Sequence, residues 1–272
     1  MNTFLVSACT FPLKDRSLAE ALPIIAAAGF KYIDLLGRLP HFSPNPAECD
    51  AQAVQALCQQ HGIGIANLAT YVGVGFASDD RTVQTQTLTE TQHTLDLAAN
   101  FGARSIRVFR PHSEIDDPAR IDHITPWLKE AAAYAAEKGV YMGFENHGGP
   151  LCGNPDHCRT LCEKVGSPHF GVLYDPCNLM GAGTDYQAAL KTMQDWIAHV
   201  HFKDGAITRD GAITNDGFQR TMLGEGQIDF GWIMHRLTEI GYNGSIALEY
   251  ELPDPAPEIG LKQWYEAFAR LA

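Results

Sequence analysis

The sequence predicts a single (β/α)8 TIM barrel, formed as one domain over residues 1–272. Eight short apolar segments alternate with eight segments of helical character, and no change of composition marks a second domain. Strict alternation of this kind predicts a parallel sheet, and eight units in about 250 residues are typical of a closed barrel. An open doubly wound sheet is the alternative. No G-x-G-x-x-G motif follows the first apolar segment, which counts against it.

The predicted strands are apolar runs of about four to eight residues, too short to be helices. Polar or glycine-containing turns follow them, such as Gly37-Arg38 after the second run and Gly148-Gly149 after the fifth. Buried parallel strands have this near-continuous apolar character because helices cover both faces of the sheet. In chain order, the strands are expected at residues 4–8, 31–36, 63–68, 105–109, 140–147, 170–175, 199–203 and 245–250.

The predicted helices are recognised by their caps and their apolar spacing. Ser17-Leu-Ala-Glu20 is a capping box that begins the first helix, and Asp50 caps the second. A polar, glycine-rich segment at residues 205–227 is expected to be a long loop before the seventh helix. In chain order, the helices are expected at residues 17–28, 50–60, 88–100, 126–137, 155–165, 186–195, 230–240 and 257–271.

Composition excludes several classes of protein. The formal charge of -12 opposes binding to nucleic-acid phosphates or to anionic membrane surfaces. No segment has the roughly 18 apolar residues of a membrane span, and no signal peptide is recognised at the start. The seven cysteines are odd in number and lack a C-x-x-C pair, so buried free thiols are expected. These observations predict a cytoplasmic protein with no nucleic-acid or membrane partner.

Each of the last four predicted strands ends in a side chain that is able to ligate a metal ion. Active sites of such barrels lie at the carboxyl ends of the strands, where these four side chains are expected to converge. Three carboxylates in one pocket need a cation, because like charges at short range raise each other's pKa. Oxygen and imidazole ligands suit Mn2+ first, with Mg2+, Co2+, Fe2+ or Zn2+ as alternatives. The four ligands are Glu145, Asp175, His201 and Glu249.

Three further residues are predicted to contact a substrate. His147 and Lys203 share the inward parity of Glu145 and His201 along their strands, and Arg107 lies within strand four. Each also has a structural interpretation: a loop cap for His147, a solvated position for Lys203 and an ion pair with an acidic neighbour for Arg107.

His199 has the same parity one layer below, where a hydrogen-bonded role in the core is expected. Tyr71, after strand three, is expected to form a pocket wall.

Five motifs resemble the xylose-isomerase-like superfamily of sugar isomerases and epimerases, which includes inosose dehydratases, hydroxypyruvate isomerases and ketose 3-epimerases. The resemblance covers nearly the whole chain. It implies that the four ligands hold one divalent metal ion and that Glu145 and Glu249 also move protons. One departure is that Asp175-Pro-Cys-Asn178 stands where several relatives have Asp-x-x-His. The motifs are E-N-H-G-G, D-P-C-N, H-V-H-F-K-D, L-G-E-G-Q-I-D-F and A-L-E-Y.

The resemblance implies an isomerase or epimerase of carbohydrate metabolism that acts on a small ketose, inosose or similar compound. A glutamate is expected to remove the proton α to a metal-bound carbonyl, forming an enediolate. The alternative is a keto-cyclitol or keto-sugar dehydratase, in which His147 or Lys203 protonates the departing hydroxyl. The expected partner is a sugar or cyclitol, and homo-oligomerisation is left open. The sequence shows no glycine-rich phosphate loop or basic cluster, which favours a non-phosphorylated substrate.

Two other classes of function share this barrel. An abasic-site endonuclease needs a positive groove and extra histidine ligands, whereas this chain is acidic and has Asn178 at the relevant position. A non-catalytic sugar-binding barrel would not need all four metal ligands. Both classes are disfavoured relative to an enzyme.

Overall fold

A computed structural model describes residues 4–109, 112–208 and 217–271. Eight parallel strands close into a barrel, which confirms the predicted fold class. Ring closure comes from the pairing of the first and last barrel strands, with Leu5 opposite Ser245. The strands are β1 (Leu5–Cys9), β2 (Tyr32–Leu36), β3 (Gly64–Val72), β4 (Ser105–Val108), β5 (Tyr141–Glu145), β6 (Phe170–Tyr174), β7 (Ile197–Phe202), β8 (Asp204–Ile207), β9 (Phe218–Thr221) and β10 (Ser245–Leu248), of which β8 and β9 form a separate hairpin.

Helices surround the barrel and bury their apolar faces against the strands. The predicted capping box at Ser17 is present, and Asp50 accepts hydrogen bonds from the first turn of its helix. Alanines on the inner face of the fourth helix are fully buried, which allows the helix to approach the sheet closely. The helices are α1 (Leu18–Ala27), α2 (Ala51–Gln60), α3 (Arg81–Phe101), α4 (Ile121–Lys138), α5 (Pro155–Val165), α6 (Pro176–Gly181), α7 (Tyr186–Met193), α8 (Phe230–Glu239) and α9 (Pro257–Leu271).

Two helices begin earlier than their sequence pattern predicts. Helix α3 begins at Arg81 because Asp80 caps it, and its polar first turns lack the apolar spacing that indicates a helix. There Gln84 is buried and donates to the carbonyl of Ser78. Helix α4 contains Pro126 in its interior, where the sequence suggested its start. A cap extends α3 beyond its periodic segment, and the burial of Ile121 and Ile124 extends α4, which has no side-chain cap.

The segment after β7 contains a hairpin, where the sequence predicted only a loop at residues 205–227. Strands β8 and β9 pair in antiparallel fashion, and residues 209–216 between them lie outside the described part of the chain. The buried Asp204 carboxylate accepts hydrogen bonds from the amides of Gly205, Gly224 and Gly226, at 2.8, 2.9 and 3.0 Å. This one side chain therefore holds the Gly224-Glu-Gly226 turn against the start of the hairpin.

The predicted state of the cysteines is also found. All seven are free thiols, six of them buried and Cys49 half-buried. No helix in the described ranges has both the length and the apolarity needed to cross a membrane.

Candidate metal centre and active site

A cavity of about 140 Å³ opens at the carboxyl ends of the barrel strands. Six of the seven predicted site residues line it, and the seventh, Asp175, is fully buried beside it. Tyr71 also lines the cavity, as predicted, and its ring lies 4.6 Å from the guanidinium carbon of Arg107. The six lining residues are Arg107, Glu145, His147, His201, Lys203 and Glu249.

The four predicted metal ligands converge in this cavity. One ligand atom from each lies within 4.8 Å of the others, and all four residues are buried. His201 Nδ1 faces the two glutamates, at 3.2 Å from Glu249 Oε2 and 3.8 Å from Glu145 Oε1. Three carboxylates and one imidazole form a donor set that fits a divalent cation with oxygen and nitrogen ligands.

Asp34, at the centre of β2, orients His201 from behind. Its Oδ2 lies 2.8 Å from His201 Nε2, which is the ring nitrogen that faces away from the glutamates. A proton on Nε2 leaves the lone pair of Nδ1 free for a cation, as in the carboxylate–histidine pairs of many metal sites. The same oxygen lies 2.9 Å from His199 Nε2, and Asn67 donates to Asp34 Oδ1 at 2.6 Å. His199 is buried and hydrogen-bonded below His201, in the core position that the sequence indicated.

Glu145 is held through both of its oxygens. Arg107 Nη1 donates to Oε2 at 2.8 Å, and Asn178 Nδ2 donates to Oε1 at 2.9 Å. The structure thus gives Arg107 the ion pair that was its alternative interpretation, although its guanidinium still lines the cavity. Asn178 also donates its backbone N–H to Asp175 Oδ1 at 2.9 Å, because Asp175 caps helix α6. One asparagine therefore links two of the four ligands.

Lys203 is buried among the carboxylates. Its Nζ lies 2.7 Å from Glu249 Oε2, 3.0 Å from Asp175 Oδ2 and 3.5 Å from Glu251 Oε2. The contact with Asp175 is an ion pair without hydrogen-bond geometry, which leaves the buried Oδ2 with no hydrogen-bond donor. This oxygen provides a coordination position, and its lack of a donor supports the fit of a cation.

The pKa shifts of two predicted ligands, Glu249 and Asp175, also fit a bound cation. Burial opposes ionisation of Glu249, but Lys203 and His201 hold its pKa well below the ordinary value. Asp175 differs, because burial, together with the charges of Glu145 and Glu249, raises its pKa to about 6 despite the attraction of Lys203. A bound cation would favour the ionised form of Asp175.

His147 lies at the rim of the cavity. Its Nδ1 accepts a hydrogen bond from the amide of Gly148 at 2.9 Å, which leaves Nε2 as the protonated nitrogen of the neutral ring. Burial lowers its pKa, and the neighbouring Glu145 only partly opposes that effect. The ring is therefore neutral near pH 7 and half-buried, facing the cavity.

Sequence reasoning missed Asp34 and Asn178 as functional residues. Asp34 is a polar residue within an apolar strand, and such a residue is a sign of a buried contact. The sequence does not identify its partner, His201, which lies 167 positions away. Asn178 was noted only as a missing histidine, whereas the structure gives its amide a contact with Glu145.

The chain is similar in sequence to a putative sugar epimerase and to a dehydratase. The chain is 26% identical over 268 residues to a putative L-ribulose-5-phosphate 3-epimerase, SgbU, of Escherichia coli K12, covering 93% of this chain and 92% of that protein. It is 23% identical over 260 residues to an inosose dehydratase of Lactiplantibacillus plantarum, covering 89% of this chain and 84% of the relative.

Among solved structures, a xylose isomerase-like TIM barrel protein of Mycobacterium smegmatis, in complex with magnesium, has the same fold. It superposes with a TM-score of 0.78 at 17% identity, over 99% of this chain and 98% of that one. The family model described as xylose isomerase-like TIM barrel matches residues 22–270. A match over this much of the chain shows that the protein belongs to the xylose isomerase-like TIM-barrel family.

Proposed function

We propose that the protein is a divalent-metal-dependent isomerase or epimerase of a small polyhydroxy carbonyl compound, such as a ketose or an inosose. The observation that carries this proposal is the convergence of Glu145, Asp175, His201 and Glu249 at the carboxyl ends of four neighbouring strands. The names of its relatives, an epimerase and a dehydratase, support an enzyme that begins by removing a proton next to a carbonyl.

The four ligands would hold one divalent cation, with Asp34 fixing the ring of His201. When bound, such an ion polarises a carbonyl oxygen as a Lewis acid. Mn2+ is our first choice, because the donor set of three carboxylates and one imidazole suits it. Mg2+ is the second, because a structural neighbour with the same fold binds it.

Glu145 and Glu249 are assigned the proton transfers. Both lie close to the same His201 nitrogen and line the same cavity, so both carboxylates are within reach of a substrate bound there. One glutamate takes the proton α to the carbonyl, and the other returns a proton to the neighbouring carbon or to the opposite face. His147 and Lys203 are assigned contacts with the substrate hydroxyls. Arg107 contacts the substrate from the cavity wall while it orients Glu145.

A dehydratase is the second candidate, because one relative is an inosose dehydratase and Lys203 lies within the cavity. Elimination starts with the same proton removal and ends with protonation of a departing β-hydroxyl. Lys203 Nζ, ion-paired with Glu249 and Asp175, is a buried ammonium placed to supply that proton. The same carboxylates raise its pKa, so they must be neutralised, as by a bound cation, before the proton is released.

One experiment separates the two candidates. Metal-loaded protein is incubated in D2O with ketoses and inososes, and products are followed by proton NMR and by mass. Incorporation of deuterium with an isomeric product supports the isomerase or epimerase, and loss of one water supports the dehydratase. If neither substrate class shows deuterium incorporation at the α carbon, the proposed function is wrong.

A further inference from the structure

A second cavity of about 490 Å³ adjoins the metal cavity, and His147 lines both. The imidazoles of His112 and His147 and the guanidinium of Arg220 face it. Asn178 also lines it, but its amide N–H groups already donate to Glu145 Oε1 and to the carbonyl of Asn146. Among the described residues, no aspartate or glutamate lines it. This composition is unexpected in a chain of net charge -12, and it contrasts with the carboxylate-rich metal cavity.

The wall of this cavity is held in place by the buried carboxylate of Asp116. Its two oxygens accept from the amide of His112 at 3.2 Å and from those of Leu151 and Cys152 at 3.1 and 2.8 Å. These hydrogen bonds join the loop after β4 to the loop after β5. The ring centroids of His112 and His147 lie 5.0 Å apart as a result. His112 adopts a left-handed backbone, with φ of 59°, which is strained for a residue other than glycine.

Glycines form the tight turn beside the cavity. A Cβ atom at Gly149 would overlap the Asp116 carboxylate, and one at Gly153 would lie 2.5 Å from the carbonyl oxygen of Gly149. A Cβ at Gly148 would meet only Ala182, at 3.4 Å. The tight turn after β5 thus needs glycine, and it leaves room for a ligand group between the imidazoles and the hairpin.

Arg220, on β9, approaches the cavity from the opposite side. Its Nη1 donates to Cys177 Sγ at 2.8 Å, its Nη2 lies 3.2 Å from Glu251 Oε2, and its guanidinium lies 5.3 Å from the Phe218 ring. These contacts orient the side chain but use only part of its five N–H donors. Glu251 offsets some of the charge, but it lines the metal cavity and not this one.

We propose that this second cavity binds an anionic end of the substrate, a phosphate ester or a carboxylate, while the carbonyl end lies at the metal ligands. The inference rests on the proposed function and narrows its substrate class to a polyhydroxy carbonyl compound with an oxyanion group. A phosphate ester would contradict the expectation of a non-phosphorylated substrate, whereas a carboxylate would agree with it. The guanidinium of Arg220 and the two imidazoles come from segments after β8, β4 and β5, which are far apart in the sequence and form no basic cluster in it.

The first test compares matched substrates. Rates of α-hydrogen exchange and of turnover are measured for L-ribulose and its 5-phosphate, and for D-tagatose and D-tagaturonate. At least one of the two anionic sugars should have a kcat/KM about tenfold or more above that of its neutral counterpart. The pair with the larger ratio shows whether the cavity prefers a phosphate or a carboxylate. The inference is wrong if the neutral sugars equal or exceed both anions. In that case the proposed function still stands.

The second test is independent of turnover. Binding of inorganic phosphate and of acetate is measured by calorimetry on chelator-treated full-length protein, so that no metal ion can bind the anion. Arg220→Met should weaken the preferred anion at least tenfold. Arg236→Met is the matched control. The Arg236 side chain is 29% exposed and ion-paired, and Arg220 is 30% exposed and ion-paired. Arg236 lies on α8 and does not line the cavity, so its replacement should leave anion binding unchanged. Absence of anion binding to the wild type, or equal loss in both variants, overturns the inference.

Discussion

Glu145 and Glu249 line the same cavity but have different partners. Both oxygens of Glu145 are bound by donors with fixed geometry, the Arg107 guanidinium and the Asn178 amide. Glu249 instead shares Oε2 with His201 and with the flexible side chain of Lys203. Arg107 is itself held by the carbonyls of Thr70 and Ala69, so its guanidinium restricts Glu145 more than the mobile Lys203 ammonium restricts Glu249. The two glutamates are therefore expected to differ in how freely they accept and release a proton.

Replacing either glutamate by glutamine tests their role in proton transfer. The amide keeps nearly the same shape but does not take up the proton, so kcat should fall by about 10²- to 10⁴-fold, roughly 3–5 kcal/mol in the barrier. Deuterium exchange at the α carbon should be abolished in one variant and retained in the other, because only one glutamate removes the first proton. Near wild-type exchange and turnover in both Glu145→Gln and Glu249→Gln would make His147 or Lys203 the next candidate base.

Asp34 supplies a second test at the residue scale. Asp34→Asn removes the charge that holds His201 Nε2 and His199 Nε2, so we expect divalent metal affinity to fall by about 10- to 100-fold. Metal affinity is measured by competition with a chelating dye. Asp79→Asn is a control, because that carboxylate is exposed and paired with Arg120. Unchanged affinity in Asp34→Asn would show that the hydrogen bond to His201 does not contribute to metal binding.

At the scale of elements, the hairpin of β8 and β9 carries Arg220 to the site, and the Asp204 carboxylate fixes its base. A Cβ atom at Gly226 would overlap Asp204 Oδ1, so Gly226→Ala should displace this turn. We expect a loss of about 1–3 kcal/mol in unfolding free energy, as for other overpacked positions. Urea unfolding measures the loss, and limited proteolysis should locate new cleavage at residues 204–229.

Gly231→Ala is the matched glycine control. It lies in the first turn of α8, and its added Cβ would meet only Asp229 Oδ1 at an ordinary 3.4 Å. Alanine in a helix is more favourable than glycine by roughly 0.5–1 kcal/mol, so this variant should be as stable as the wild type or more so. Equal stability of the two variants would mean that the turn at Gly226 adapts without cost.

At the scale of the whole molecule, metal binding should stabilise the folded barrel. The four predicted ligands come from β5, the junction of β6 and α6, β7 and the residue after β10, and they meet only in the native state. Free metal at about 100 times its dissociation constant contributes about 2.7 kcal/mol, which corresponds to a rise in Tm of roughly 5–10 °C. Thermal unfolding with metal and with chelator measures the difference, and elemental analysis should find about one ion per chain.

His201→Asn and Asp175→Asn complete this test. Both remove a ligand, so metal affinity should weaken and the chelator should change Tm much less than in the wild type. A wild-type Tm that does not respond to metal would contradict the proposed metal site. A variant with wild-type metal affinity would remove its residue from the ligand set.

The sequence by itself determined the barrel and the rim at which the four predicted metal ligands lie. Alternating strands and helices are encoded by local periodicity and caps, and every parallel strand ends at the same rim. A polar residue at the end of an apolar run, such as Glu145 or Glu249, could therefore be assigned to the site without knowledge of the neighbouring strands.

Only the tertiary structure decided which side chains meet across the barrel. The contact of Asp34 with His201 spans 167 positions, and the pairing of Arg107 with Glu145 depends on the register of β4 against β5. The hairpin that carries Arg220, and the donor-lined cavity beside the metal ligands, arise from loops whose sequences have no period. Closure of the barrel brings these loops together, and no local pattern in the chain encodes that proximity.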